Sequence, residues 1–116
     1  MKRLRNNLIG IAQGSEVMFE DFDTGGDMWT GTGPREAWHP VRFSDKYRAP
    51  PMVHVSLSMW DMDISTNHRV DLRAQNVRRD GFELVFRTWE DSKIARVRAD
   101  WMAIGELLHE DDWDLY

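Results

Sequence analysis

Apolar and polar residues alternate along two neighbouring stretches near the middle of the chain, residues 67–74 and 82–89. The sequence Arg79-Asp80-Gly81 between them is typical of a turn. Alternation on both sides of an Asp-Gly turn indicates a pair of antiparallel strands with one buried face. The residues that this pattern turns toward the core are Val70, Leu72, Ala74, Phe82, Leu84 and Phe86.

Four further stretches have strand patterns, and no stretch of useful length has a helical period. One of these predicted strands begins at Gln13, and the others cover residues 40–44, 52–60 and 95–103. In the strand 52–60, the side chains predicted to point inward are those of Val53, Val55, Leu57 and Met59. Residues 21–34 contain four glycines and are predicted as a loop. Together the patterns predict an all-β fold, a six-stranded antiparallel β-sandwich.

The length of 116 residues suits a single domain with one core. We expect an N-terminal arm at 1–12, the sandwich at 13–106 and an acidic C-terminal tail at 107–116. The basic start of the chain precedes an apolar run shorter than the roughly 7–15 residues of a signal peptide, so no signal peptide is predicted. The compartment stays open, with an extracellular location or a phage-like particle as alternatives. The arm and the tail are candidates for docking into a larger assembly.

Charge and composition exclude several classes of function. The net charge of −5 argues against nucleic-acid binding, which needs a positive surface. No apolar run is long enough to insert into a membrane. The chain has no cysteine, so disulfides cannot stabilise it, and a small domain then favours homo-oligomerisation.

The sequence predicts no metal site, no cofactor and no catalytic function. The four histidines lack metal-ligand spacing, and no nucleophile elbow is present. Asp61, Asp63 and Ser65 faintly resemble a calcium loop, but the glycine and the final glutamate are missing, which favours a solvated turn. Glu90 and Asp91 are adjacent and point in alternate directions, so they do not form the opposed pair of a glycosidase.

Arg69 and Trp89 are the candidate binding residues in the central pair of strands. Both fall on its non-core face, and the start of one antiparallel strand lies beside the end of the next. A guanidinium next to an indole suits a ligand that is both hydroxylated and apolar, such as a sugar. A surface ion pair for Arg69 and a packing role for Trp89 remain alternatives.

The order and spacing of several short motifs over residues 13–105 resemble the H-type lectin family. These motifs are residues 41–51 (VRFSDKYRAPP), 55–61 (VSLSMWD), 67–70 (NHRV), 80–82 (DGF), 86–89 (FRTW) and 99–105 (ADWMAIG). The resemblance implies a six-stranded antiparallel sandwich that forms trimers, or hexamers of two trimers. It also implies shallow sites for N-acetylgalactosamine-type sugars near subunit boundaries.

The same resemblance suggests individual roles for the candidate site. Arg69 stands where the family has an arginine that binds sugar hydroxyls, and Trp89 where it has the aromatic against the sugar; His68 lies beside Arg69 in the same motif. Thr32 and Glu90 depart from the pattern, because well-known members have an aspartate and a histidine at these positions. The scaffold is therefore expected to be intact, with the specificity residues partly replaced.

Two functions follow from these observations. The first is a non-catalytic lectin-like module that recognises surface glycans of the galactose or N-acetylgalactosamine type through a multivalent trimer. The second is a structural or adhesion subunit of a phage-like tail or surface assembly, in which sugar binding is altered or lost. The departures at Thr32 and Glu90 favour the second.

Overall fold

The computed structural model describes residues 1–5 and 8–108. The strands are β1 (Ile9–Glu20), β2 (Arg35–Arg42), β3 (Met52–Met62), β4 (Asp71–Gln75), β5 (Gly81–Thr88) and β6 (Ile94–Glu106), with a short helix α1 (Asp27–Thr30) after β1. One antiparallel sheet has the order β1-β6-β3 and the other β2-β5-β4. The predicted six-stranded antiparallel sandwich is therefore confirmed. Within the described residues, no helix is long and apolar enough to cross a membrane.

The central strand of each sheet supplies most of the core. In β5, Phe82, Leu84 and Phe86 are fully buried, as the alternation predicts, and β6 contributes Val97 and Ala99. Both strands have neighbours on either side and a second sheet against one face, so their inward side chains lose nearly all contact with water. Burial of this apolar surface is the main favourable term that holds the two sheets together.

Several strand boundaries differ from the prediction. β4 begins at Asp71 and β5 ends at Thr88, so Arg69 lies before β4 and Trp89 lies after β5, and neither is within a strand as predicted. β1 begins at Ile9 instead of Gln13, because Ile9 to Ala12 pair with the last residues of β6. The last four residues of the predicted arm 1–12 thus belong to the sandwich. β2 covers Arg35–Arg42 and so begins five residues before the predicted strand at 40–44. Residues 109–116 of the predicted tail lie outside the described residues.

Two β-bulges face the same residue of β6. The register in which β1 pairs with β6 changes between Val17 and Phe19, and the register in which β3 pairs with β6 changes between Leu57 and Met59. Arg98 of β6 lies opposite both positions. A bulge reverses which side chains of a strand point inward. Met59 consequently lies on the outer face with Arg98, so the prediction that it points into the core is wrong.

The sandwich has two ends, which we name after one buried residue of each. At the Thr88 end, β5 ends at Thr88, while β2 begins at Arg35 and β6 at Ile94. At the Tyr47 end, β5 begins at Gly81 and β6 ends at Glu106. The turn after Thr88 and the loop before Arg35 meet at the Thr88 end, where the Gly33 N–H donates to the Glu90 carbonyl at 2.9 Å.

Candidate functional site

Two buried hydroxyl groups fix the main chain of Arg69 at the Thr88 end. The Arg69 N–H donates to Ser92 Oγ at 2.9 Å, and Thr88 Oγ1 donates to the Arg69 carbonyl at 2.5 Å. Ser92 Oγ also donates to the Asn67 carbonyl at 2.5 Å. Ser92 and Thr88 are 0% and 2% exposed. These hydroxyls flank the turn at 89–91, so they hold the segment before β4 alongside that turn.

The Arg69 guanidinium lies between two carboxylates of this turn. It forms a hydrogen-bonded ion pair with Asp91, and its Nη2 is 3.5 Å from Glu90 Oε2. The Arg69 side chain is 28% exposed, against 69% for Glu90 and 52% for Asp91. The acceptor oxygens are therefore more accessible than the guanidinium, and these three side chains together carry a net negative charge.

The environment of Asp91 keeps this carboxylate ionised. Partial loss of solvent raises its pKa, but hydrogen bonds from Asn67 and from its own backbone N–H, together with the Arg69 charge, outweigh that effect. The net result is a pKa below the ordinary value of an aspartate. Arg69 thus has a charged partner throughout the neutral pH range.

Trp89, which precedes Glu90 in the same turn, is partly exposed to solvent. The residue is 39% exposed and borders an open depression of about 500 Å³ that Asp27, Pro34 and Glu36 also line. Glu36 accepts a hydrogen bond from Arg87 Nε at 3.0 Å. An accessible indole face with carboxylates around it can contact both the C–H face and the hydroxyls of a saccharide.

The remaining two predicted residues lie close by in the chain. Thr32 is exposed between Gly31 and Gly33, and the hydrogen bond from Gly33 to Glu90 joins its loop to the turn. His68 is exposed, with Nε2 3.2 Å from the Asp63 carbonyl oxygen. The structure thus brings the segments that carry Thr32, His68, Arg69, Trp89 and Glu90 to one end of the sandwich. Their contact with a sugar stays a prediction.

Sequence reasoning missed the groups that hold this site together. Thr88 was predicted only as part of a strand, Asp91 was considered as a possible catalytic partner of Glu90, and Ser92 was not singled out as a site residue. Arg35 was not singled out, yet it is 5% exposed and donates hydrogen bonds to main-chain carbonyls of both loops. No local motif marks such partners, because the bond that joins the two loops, from Arg35 to the Glu90 carbonyl, links residues that are 55 positions apart in sequence.

The predicted turn at 61–65 is stabilised by its own hydrogen bonds. Asp63 Oδ1 accepts from the Ser65 N–H at 2.9 Å and from Ser65 Oγ at 2.8 Å, an arrangement typical of an Asx turn. Among the residues that the structure describes, no group of three or more His, Cys, Asp or Glu side chains is arranged to hold a metal ion.

Comparison with known families gives one domain match. Residues 38–104 match the model of the H-type lectin domain. A protein of Fuscovulum blasticum named "ATP synthase subunits region ORF 7" is 51% identical over 107 residues, which cover 92% of this chain and 93% of that protein. Its name says nothing about a ligand.

Discoidins of Dictyostelium discoideum are similar in sequence and in fold. A discoidin-1 polypeptide is 35% identical over 75 residues, which cover 64% of this chain and 30% of that protein. The structure of discoidin II superimposes with a TM-score of 0.74 at 21% identity, covering 90% of this chain and 39% of the other, which supports the fold. The chain therefore spans about a third of a discoidin. The domain match supports a carbohydrate-binding module.

Proposed function

The chain belongs to the H-type lectin domain family, and on that premise we propose that it is a non-catalytic module that recognises surface glycans of the galactose or N-acetylgalactosamine type. The observation that carries this proposal is the position of Arg69 against the turn that contains Trp89 and Glu90. Arg69 can donate hydrogen bonds to hydroxyls, Glu90 can accept them, and the partly exposed aromatic residue Trp89 belongs to the same turn as Glu90; a sugar ring requires this combination of groups.

Each side chain has a distinct task in this proposal. Arg69 donates hydrogen bonds to sugar hydroxyls from the N–H groups that its two carboxylates leave available. Glu90 accepts hydrogen bonds from hydroxyls, and Trp89 packs against the C–H face of the ring. Thr32 and His68, on the neighbouring loops, border the ligand.

The net negative charge at this site favours neutral saccharides over acidic ones. Glu90 is more exposed than Arg69, so a carboxylated sugar would meet a carboxylate before it met the guanidinium. Arg69 is also already paired with Asp91, which reduces the positive field available to an anionic ligand. We expect sialylated glycans to bind more weakly than their neutral counterparts.

A glycan array with the purified protein tests the proposal. We expect Trp89→Ala and Arg69→Ala each to weaken binding to the recognised glycan by about tenfold or more, since stacking and charge-assisted hydrogen bonds are each lost. Trp38→Ala and Arg42→Ala serve as matched controls, because these residues are exposed and lie on β2. Absence of binding across a broad array, with the folded protein intact, contradicts the proposal.

We also infer that the chain functions as a homotrimer, or as a hexamer of two trimers, which raises weak single-site affinity through multivalency. Exposed apolar side chains support self-association, because Ile11, Val17 and Met52 share the outer face of the β1-β6-β3 sheet. Light scattering tests this inference. We expect Ile11→Glu to lower the mass and the melting temperature together, and a monomer as stable as the wild type would contradict it.

A structural or adhesion subunit of a phage-like tail or surface assembly is the second candidate function. The pairing of Arg69 with Glu90 and Asp91 favours it, because a guanidinium that is satisfied within its own chain has less capacity for a ligand. In that case the array shows no binding, and the protein co-purifies with other chains of a larger assembly.

A further inference from the structure

We propose that Arg35 is a positioning residue of the carbohydrate site: it fixes the loop that carries Thr32 against the turn that carries Trp89 and Glu90, through hydrogen bonds from all three of its guanidinium nitrogens to main-chain carbonyls. The inference rests on the proposed function. Arg35 is the first residue of β2 and lies opposite Thr88, the last residue of β5. It therefore stands at the point where both loops leave the sheet.

The Arg35 guanidinium joins three parts of the chain through main-chain carbonyls. Nε donates to the Gly33 carbonyl at 2.9 Å, and Nη1 donates to the carbonyls of Asp27 and Met28 at 3.4 and 3.2 Å. Nη2 donates to the Glu90 carbonyl at 3.1 Å. One planar group thus holds the helix α1, the glycine turn after it and the turn at 89–91 in a fixed relation.

These partners are unusual for a charged group that is 5% exposed. Buried charges are normally paired with an opposite charge, because removal from water is otherwise costly. Here the compensation comes from four neutral carbonyls, and a lysine could not reproduce the planar fork that reaches them. The position therefore requires arginine for its geometry as well as for its charge.

The turn that Arg35 reaches has a strained backbone. Glu90 has φ of 56°, the left-handed region that side chains other than glycine rarely adopt. Such a conformation persists only where its surroundings hold it. The Glu90 carbonyl accepts hydrogen bonds from both Arg35 and the Gly33 N–H, so the two donors hold the chain in this conformation between Trp89 and Asp91.

Arg35→Lys tests the proposal, with Arg42→Lys as the matched control on the same strand. The Arg42 side chain is 80% exposed and lies at the Tyr47 end. Titration calorimetry with galactose and N-acetylgalactosamine gives both the Kd and the number of sites per chain, at a temperature where each variant is folded. We expect Arg35→Lys to raise the Kd at least fivefold with an unchanged number of sites, and Arg42→Lys to leave both unchanged.

A role in stability alone would change different quantities. It would lower the melting temperature and leave the Kd of the folded protein within twofold of wild type, and that result overturns the proposal. Tyr47→Phe gives a destabilised reference with an intact site.

A second readout separates this inference from the proposed function. Hydrogen exchange of the Gly33 amide, which donates to Glu90, reports the contact between the two loops directly. We expect faster exchange in Arg35→Lys than in Arg42→Lys. If the wild type binds neither sugar, the proposed function fails, and the exchange rate alone decides whether Arg35 positions the loops; equal rates in the two variants overturn that role.

Discussion

The Thr88 end and the Tyr47 end of the sandwich are closed by different chemistry. A neutral phenol closes the Tyr47 end: Tyr47 is 2% exposed, and its hydroxyl donates to the carbonyls of Gly10 and Ala103 at 3.1 and 3.3 Å. A guanidinium and two hydroxyls close the Thr88 end. Both ends satisfy buried carbonyls, and both keep charged side chains accessible, such as Glu90 at the Thr88 end and Arg42 at the Tyr47 end.

Close backbone approach explains the glycines at the Tyr47 end. A Cβ on Gly81 would lie 2.2 Å from the Val41 carbonyl oxygen, and a Cβ on Gly105 would lie 2.9 Å from the Tyr47 ring. Packing of this kind fixes the strands at this end, beside an open depression of about 300 Å³ that Arg48, Pro50 and Gly105 line. At the Thr88 end the chain is instead held by long-range hydrogen bonds, which keep loops in place without filling the space beside them. We infer that the two ends are stabilised by different means, close packing at the Tyr47 end and long-range hydrogen bonds at the Thr88 end.

Gly81→Ala should give the largest effect on stability and none on the site. The added Cβ meets backbone that belongs to β2, so strand pairing has to shift, and overpacking of this kind costs about 3 kcal/mol. Urea denaturation measures the loss, and calorimetry checks that the folded fraction keeps its sugar affinity. Gly25→Ala is the matched control, since its added Cβ meets nothing within 4 Å although its φ is 65°. Equal losses in the two variants would contradict the contact-based explanation.

Ser92→Ala should affect stability and affinity together. It leaves the Arg69 N–H and the Asn67 carbonyl without their hydroxyl partner, and unsatisfied groups of this kind cost about 1–3 kcal/mol. Because the same bond fixes Arg69, we also expect weaker sugar binding. Ser56→Ala, at an exposed position of β3, should leave both unchanged. A Ser92→Ala protein with wild-type affinity would show that the hydroxyl is not needed to place Arg69.

Tyr47→Phe should have a smaller effect that is confined to stability. The variant keeps the ring and its contact with Phe43, at a centroid distance of 5.1 Å, and loses the two hydrogen bonds of the hydroxyl. A net loss of about 1 kcal/mol follows. Thermal unfolding measures it. A change in sugar affinity would mean that the two ends are coupled through the sheets.

The sequence predicts the sheets better than the ends, because alternation is a local property. The inward residues of β5 and β6 follow from their period of two, and the core confirms them. The error at Met59 comes from a bulge, which one inserted residue creates without any change in composition. Gly81 has a different role from the one predicted: it is the first residue of β5, and Asn76 has the positive φ in the preceding turn, at 53°.

The candidate site likewise contains residues that the sequence predicts and residues that it does not. Arg69 and Trp89 could be predicted, since the strands next to them, β4 and β5, pair through a turn and a family resemblance supports them. Arg35, Asp91 and Ser92 could not, because the hydrogen bonds that join them to Glu90 or Arg69 reach across 22 to 55 positions of the sequence. Such partners depend on how two loops meet in space, and this depends on the register of both sheets.

Opposite ends of the molecule should lose stability at opposite extremes of pH, the smallest effect that we predict. The lowered pKa of Asp91 means that its contribution is present above the unfolded value of about 3.9 and is lost as pH falls through the folded value. Burial raises the pKa of the Tyr47 hydroxyl, so its contribution is present below about 10 and is lost as pH rises. The melting temperatures of Asp91→Asn and Tyr47→Phe should therefore differ most from that of the wild type at neutral pH. The difference in melting temperature between Asp91→Asn and the wild type should vanish in acid, and that between Tyr47→Phe and the wild type should shrink in alkali. If the Asp91→Asn difference persists in acid, the acid-sensitive group lies elsewhere than at the Thr88 end.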